Sequence, residues 1–311
     1  MKLDMRFNDG SAARWLIIRN GGIGDTILLA SVVQLVRMTN PDAWIEIAGI
    51  LERVELLTGE GMADRAVSTE RAGWESLYAN DAPLAPDLRD YLHSFDVIIC
   101  YSGGNPHQFE KRLRIHPQQM IRVHPALPSS HSHEHITHFY CASLHGLLAF
   151  FSIPPPRLAI SPGERDSARM RLREMGIDFS TFLMAMHVGA GNQDKRAPLD
   201  LFGHIIHDFS RNMPITLLLT LGPADQTAVE AFLRLIPAQI PVYVFANEPL
   251  RILASTLNQC DLFIGNDSGI THLAAAAQCP TVAFFVASEP SIWSPLGEHV
   301  RVISLKPPAK R

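Results

Sequence analysis

The chain has 311 residues, 47% of them hydrophobic, and a formal net charge of −4. That content can bury one large core or, more in keeping with the length, two domains of ordinary size, and the charge gives no basic field for a nucleic-acid backbone. No stretch approaches the roughly 20 apolar residues that span a bilayer, Met1–Ala13 is too polar for a secretory signal, and the four cysteines (Cys100, Cys141, Cys260, Cys279) form no CxxC pair, so buried thiols and a cytoplasmic location are expected.

In chain order, residues 1–13 read as a loose arm, and Trp15–Arg19 (WLIIR) as a buried strand. The turn Asn20-Gly21-Gly22-Ile23-Gly24-Asp25 follows, then a helix from Thr26 to about Met38 with Ile27, Leu28, Val32, Leu35 and Val36 on its apolar face. The turn fits neither the dinucleotide fingerprint nor the P-loop, because Ile27 stands where a third glycine would and no Gly-Lys-Ser/Thr follows. Gly22 and Gly24 permit a tight turn and close approach of a ligand. Asp25 stands at its mouth, able to cap the helix or to face a substrate.

Asn40-Pro41-Asp42 breaks that helix, and Trp44–Ile50 supplies another strand. Less regular βα units lead to the strand Phe95–Cys100, which ends at Tyr101-Ser102-Gly103-Gly104-Asn105. Lys111, Arg112 and Arg114 come next, either as a solvated face or as a meeting point for an anionic acceptor beyond a strand end. His131, His133, His135 and His138 suggest a metal, but only Glu134 accompanies them, and Glu134–Phe151 reads instead as an amphipathic helix. Ile153-Pro154-Pro155-Pro156 is a stiff linker, dividing the chain into domains 1–156 and 157–311.

The second half alternates again: helix Glu164–Met175, strand Thr181–Val188, helix Leu199–Ser210, strand Ile215–Leu221, helix Asp225–Leu235, strand Val242–Phe245 and helix Leu250–Asn258. The first of these strands runs into Gly189-Ala190-Gly191-Asn192-Gln193-Asp194-Lys195-Arg196, a glycine turn that can wrap phosphate and add Lys195 as a point charge. The second ends in Gly222-Pro223-Ala224-Asp225. Finally, Leu262–Ile264 meets the polar turn Gly265-Asn266-Asp267, an alanine-rich helix opens at Ser268 or Gly269, and a strand follows Pro280. Free N–H groups at Ser268, Gly269 and Ile270 with the positive end of the helix dipole suit an anion, unless Asp267 or Ser268 merely caps an ordinary connection.

Three segments in order, GGIGDTILLASVVQLVR, HVGAGNQDKRAPLDLFGHI and NDSGITHLAAAAQCPTVAFF with Trp293-Ser294-Pro295, resemble the family-9 glycosyltransferases, which include the ADP-heptose:lipopolysaccharide heptosyltransferases. His135–Tyr140 (HITHFY) resembles the family's pattern before the linker. The resemblance implies a GT-B architecture: two Rossmann-like parallel-sheet domains facing a cleft, acceptor on the first and nucleotide sugar on the second. It implies an inverting transfer without a metal or other cofactor, from a nucleotide-sugar donor, ADP-linked in the heptosyltransferases, to an anionic glycan or glycolipid, with peripheral contact at the inner membrane face.

Residue by residue, the resemblance places Asp25 as general base and Lys195 at the donor phosphates. It places Asp267, Ser268, Gly269 and His272 at the diphosphate, and Asp225 or Gln226 at the ribose. Gly189, Ala190, Gly191 and Arg196 complete the donor loop, while Gly22, Gly24, Lys111 and Arg112 are the acceptor candidates. Ala197 stands where the family commonly has Trp, and Gly191 where it has Ser or Thr, which leaves the donor sugar and base open. The sequence stops at Arg311, sooner after Trp293-Ser294-Pro295 than in many relatives. A GT-B-fold epimerase and a non-catalytic nucleotide-binding paralogue are the alternatives.

Overall fold

A computed structural model describes residues 12–79, 82–222 and 225–306. The expected arm before Arg14, apart from its last two residues, lies outside these, as do Pro223 and Ala224 of the third turn and the last five residues. Contacts divide the chain into two units between Ala159 and Ile160.

In the first unit the order is β1 (Arg14–Arg19), α1 (Ile23–Leu28), α2 (Ala30–Thr39), β2 (Trp44–Gly49), α3 (Leu51–Val54), β3 (Arg65–Ser68), α4 (Pro86–His93), β4 (Val97–Ser102), α5 (Pro106–Leu113), β5 (Met120–Pro125) and α6 (Ile136–Cys141). The five strands pair in parallel in the order β3-β2-β1-β4-β5. In the second unit the order is α7 (Pro162–Glu174), β6 (Phe182–His187), α8 (Leu199–Asn212), β7 (Ile215–Leu221), α9 (Gln226–Leu233), β8 (Val242–Ala246), α10 (Leu250–Leu257), β9 (Leu262–Asn266), α11 (Gly269–Ala276), β10 (Thr281–Phe285), α12 (Pro290–Trp293) and β11 (Val300–Ser304). Its six strands are also parallel, in the order β11-β10-β9-β6-β7-β8.

The central strands are apolar on both faces because crossover helices cover both sides of a parallel sheet. Leu16, Ile17 and Ile18 of β1 and Leu217, Leu218 and Leu219 of β7 are all buried. In each sheet the strand order reverses direction at one place, between β1 and β4 in the first unit and between β6 and β9 in the second. Loops leaving the carboxyl ends of those strands diverge there and open a crevice suited to a ligand.

Four sequence expectations change. The first helix begins at Ile23, not Thr26, because the Asp25 carboxylate accepts from the Gly22 N–H at 3.0 Å and stabilises a turn that includes Asp25. The helical run is then broken at Leu29, whose N–H bonds back to Thr26 C=O in a tight turn. The helix read over Glu134–Phe151 is confined to α6 and one 3-10 turn, Ala142–Leu144. The Tyr140 carbonyl is taken by the Tyr101 hydroxyl at 3.0 Å and the Ser143 hydroxyl at 2.8 Å, and Gly146 adopts φ 77°, which turns the chain out of the helical path. Strands β5 and β11 were not expected: they are sheet edges, where exposure removes the apolar run that marks a buried strand. Among the described residues, all four cysteines are free and buried, and no helix is long and apolar enough to cross a membrane.

Candidate functional site

Three of the four strands at the reversal points close on a buried polar residue. Arg19 ends β1 and is 3% exposed, His187 ends β6 at 4%, and Asn266 ends β9 at 0%. Polar groups are buried at such positions only when bonded, so the partners of these three define how the loops above them are held.

In the second unit, Asn266 Oδ1 accepts from the Ala197 N–H at 2.9 Å, and its Nδ2 donates to the carbonyls of Val188 at 2.9 Å and Gly189 at 3.2 Å. The loop Gly189–Arg196 is therefore gripped at both ends by the residue that precedes Asp267. Within the loop, Asn192 caps a 3-10 turn (Gln193–Lys195) by accepting from the Asp194 N–H at 3.0 Å. This turn carries Lys195 to Asp267, with Nζ 2.7 Å from Oδ2. The Ser288 hydroxyl, from the loop after β10, donates to the same oxygen. Asp267 is 6% exposed, whereas the Lys195 side chain is 36% exposed, so the cation is the member of the pair that solvent or a ligand reaches.

Next to this pair, Ser268 is the N-cap of α11 and accepts from the Thr271 N–H at 3.3 Å. The helix leaves the Gly269 and Ile270 N–H groups without carbonyl acceptors of its own, and its dipole adds positive potential there. His272 lies one turn further in and is buried. Asp225 forms a second cluster: Oδ2 accepts from the Gly222 N–H at 3.1 Å, Oδ1 lies 3.6 Å from Arg196 Nη2, and His187 Nε2 is 3.7 Å from Oδ2. Arg196 also donates to the Ala190 carbonyl at 3.2 Å. Burial holds the His187 imidazole below the ordinary histidine range, against the pull of Asp225 and of the Thr220 carbonyl, 3.2 Å from Nδ1. Gln226 is exposed and donates to Glu230 at 3.0 Å.

The structure thus brings Gly189, Ala190, Gly191, Lys195, Arg196, Asp225, Asp267, Ser268, Gly269 and His272 to the ends of the adjacent strands β9, β6 and β7. An anion placed before α11 would meet the partly exposed Lys195 ammonium and a row of N–H donors.

In the first unit Asp25 sits in the opening turn of α1. Its carboxylate is 28% exposed, and Oδ2 lies 3.6 Å from Arg19 Nη2. The Arg19 guanidinium also donates to the Tyr140 hydroxyl at 3.0 Å and lies over the Tyr140 ring at 5.5 Å. Burial pushes the Tyr140 phenol above its ordinary range; Arg19 opposes this and Asp25 adds to it. Gly22 is exposed beside Asp25, and Gly24 is half-buried. Lys111 is exposed on α5, but Arg112 turns inward: its guanidinium donates to the carbonyls of Ser76, Leu77 (3.1 Å) and Ala82 (2.9 Å). Its charge is spent on holding a loop. His135 caps α6 by accepting from the Thr137 N–H at 3.2 Å, and the described residues contain no group of three or more His, Cys, Asp or Glu placed to hold a metal.

Arg19, Tyr140, His187, Asn266 and Ser288 also hold these loops and are not among the residues that the sequence motifs single out. For Arg19, His187 and Asn266 a signal existed: a polar residue directly closing an apolar strand run and leading into a turn.

The family model of glycosyltransferase family 9 (heptosyltransferase) matches residues 73–311. The chain belongs to glycosyltransferase family 9. A Haemophilus influenzae protein assigned as a glycosyltransferase is 26% identical over 160 residues, 50% of this chain and 46% of its own length, so the match spans about half of that relative. Among solved structures, a family 9 glycosyl transferase from Veillonella parvula aligns with TM-score 0.75 at 18% identity, covering 94% of this chain and 87% of that one. The E. coli ADP-heptose lps heptosyltransferase II aligns with TM-score 0.73 at 17% identity, covering 93% and 90%. These likenesses show the fold: two parallel-sheet α/β units of the GT-B class. The family 9 match contains the whole of the Lys195–Asp267 site, while Asp25 precedes it and stands on the geometry of its own turn.

Proposed function

We propose that this chain is an inverting glycosyltransferase that moves a sugar, heptose from ADP-heptose in the first instance, to a hydroxyl of a lipopolysaccharide-core or other anionic glycan acceptor. In this reading residues 1–156 bind acceptor and residues 157–311 bind the nucleotide sugar. The observation that carries it is the convergence of Lys195 and the N-terminus of α11 beyond three adjacent strand ends, β9, β6 and β7. Membership of family 9 and the likeness to a heptosyltransferase that uses ADP-heptose support the choice of donor.

As the acceptor oxygen bonds to the anomeric carbon, Asp25 takes the hydroxyl proton, because an alcohol is far too weak an acid to ionise beforehand. The bond from the anomeric carbon to the diphosphate oxygen breaks, and the electron pair leaves with the nucleoside diphosphate. That growing charge is met by Lys195 and by the Gly269 and Ile270 N–H groups, fixed donors that reorganise little. The transfer on this scheme needs no metal, Asp225 or Gln226 faces the ribose, and Lys111 with Gly22 and Gly24 borders the acceptor. The enzyme works in the cytoplasm, meeting a glycolipid acceptor at the inner membrane face.

The test is calorimetric titration with ADP, UDP and GDP in chelator, repeated on Lys195→Ala. ADP binding without metal that weakens about tenfold or more in the variant, the scale of one charge-assisted hydrogen bond, is the expected result. A preference for UDP or GDP would discard heptose as the sugar. No nucleotide binding would reject the donor site altogether.

A further inference from the structure

We infer that Asn266 is a positioning residue of the donor site: its buried amide fixes Lys195 against the N-terminus of α11 and so sets the gap into which a diphosphate fits. This rests on the reading of the Gly189–Arg196 loop as the donor loop.

The geometry is unusual in what a single side chain joins. The carbonyls of Val188 and Gly189 lie at the start of the loop, and the Ala197 N–H lies two residues past Lys195; all three bond to one amide. The partners are 69 to 78 residues away in sequence, so the bonds tie two different βα units together. The same residue's backbone carbonyl accepts from the Thr271 hydroxyl in the first turn of α11, and Thr271 in turn bonds to the cap Ser268. One residue therefore reaches both jaws of the anion site: the loop through its side chain and the helix cap through its backbone.

Only an amide meets the demand. The oxygen must accept while the nitrogen donates twice, in a place from which water is excluded. Aspartate has nearly the same shape, but its carboxylate would face two carbonyl oxygens that need donors. Serine is shorter and carries a single proton. Either change leaves loop carbonyls unpaired, and a loop relieved of its grip can carry Lys195 away from the helix even though Lys195 itself is unaltered.

The test measures ADP binding by calorimetry in chelator for wild type, Asn266→Asp, Asn266→Ser, Lys195→Ala and the double variant Asn266→Asp/Lys195→Ala, with thermal melting of each. The expected result is a loss of about tenfold or more in ADP affinity for Asn266→Asp in folded protein. In the Lys195→Ala background the same change should cost less than about twofold, since residues that act through one another do not add. Full additivity of the two losses, or unchanged ADP affinity in a folded Asn266 variant, overturns the inference. So does failure of both Asn266 variants to fold, which would assign the amide to stability alone. Wild-type protein that binds none of ADP, UDP and GDP would instead reject the donor-site reading, and this inference with it.

Discussion

Replacing Asp25 by asparagine removes one charge and keeps the shape, which separates chemistry from architecture at the first unit's reversal point. The Asn side-chain oxygen can still accept the Gly22 N–H that Asp25 now takes at 3.0 Å, so α1 keeps its cap. Arg19 loses the carboxylate 3.6 Å away but keeps the Tyr140 hydroxyl at 3.0 Å. Breaking a fully buried ion pair would cost several kcal/mol, but Asp25 is 28% exposed, so about 1–2 kcal/mol is expected. For a unit of this size that is a fall of roughly 3–6 °C in Tm. Catalysis should suffer far more, about 10²–10⁴-fold in turnover, the usual worth of a positioned base. ADP affinity should stay within about twofold, since the loss falls on a group that acts only in the transition state. Product formation by mass spectrometry from ADP-heptose and isolated lipopolysaccharide core, alongside calorimetry and melting, tests all three. Turnover within about threefold of wild type would refute the base assignment, and a fall in ADP affinity matching the fall in turnover would place Asp25 in donor binding instead.

A methyl at Gly189 would overlap the Asp225 carboxylate, which is itself held by the Gly222 N–H. Gly189→Ala should therefore lower the melting temperature and weaken ADP binding together; normal ADP affinity would detach this loop from the site. Arg112→Met leaves the carbonyls of Ser76, Leu77 and Ala82 without their donor and should destabilise the first unit by about 1–3 kcal/mol in urea unfolding while sparing ADP affinity. An unaffected midpoint with lost acceptor binding would return Arg112 to the acceptor site. Burial would raise the Glu164 carboxyl, but Arg251 at 2.5 Å and the Ser161 N–H and hydroxyl outweigh it and bring the pKa down to about 2. A carboxylate depressed in the folded state adds stability that is full above the unfolded pKa and is lost as pH falls from about 4.5 towards 2. Glu164→Gln should flatten the fall in stability across that window, and an unchanged profile would show that other carboxylates govern it.

The parallel α/β plan was legible because buried central strands announce themselves as apolar runs followed by glycine turns, as in Trp15–Arg19 and Leu262–Ile264. The edges β5 and β11 were not, since a strand partnered on one side can be polar. The glycine loop from Gly189 to Lys195 was visible as a local pattern, but its grip by Asn266 was invisible because the partners lie 69 or more residues apart. Arg112 meets the same limit: a cation past a strand end reads as a candidate ligand contact, and only the fold reveals the three carbonyls of a distant segment on its guanidinium. The histidines around position 135 looked like a cluster, yet one of them is spent capping a helix.

The buried guanidinium of Arg19 has a bearing on how relatives of this chain diverge. Because Asp25 is the carboxylate that balances it, a lineage that gave up sugar transfer would still be selected to keep an acid at that position or to lose both residues together. An intact aspartate in a homologue is then weak evidence of activity, and the same holds for an intact lysine at position 195, whose ammonium lies 2.7 Å from the buried Asp267 carboxylate and balances it in turn. Inactive descendants should be recognised by change at positions that balance no buried charge, such as the exposed Gly191 with open space around it, long before either charged residue disappears.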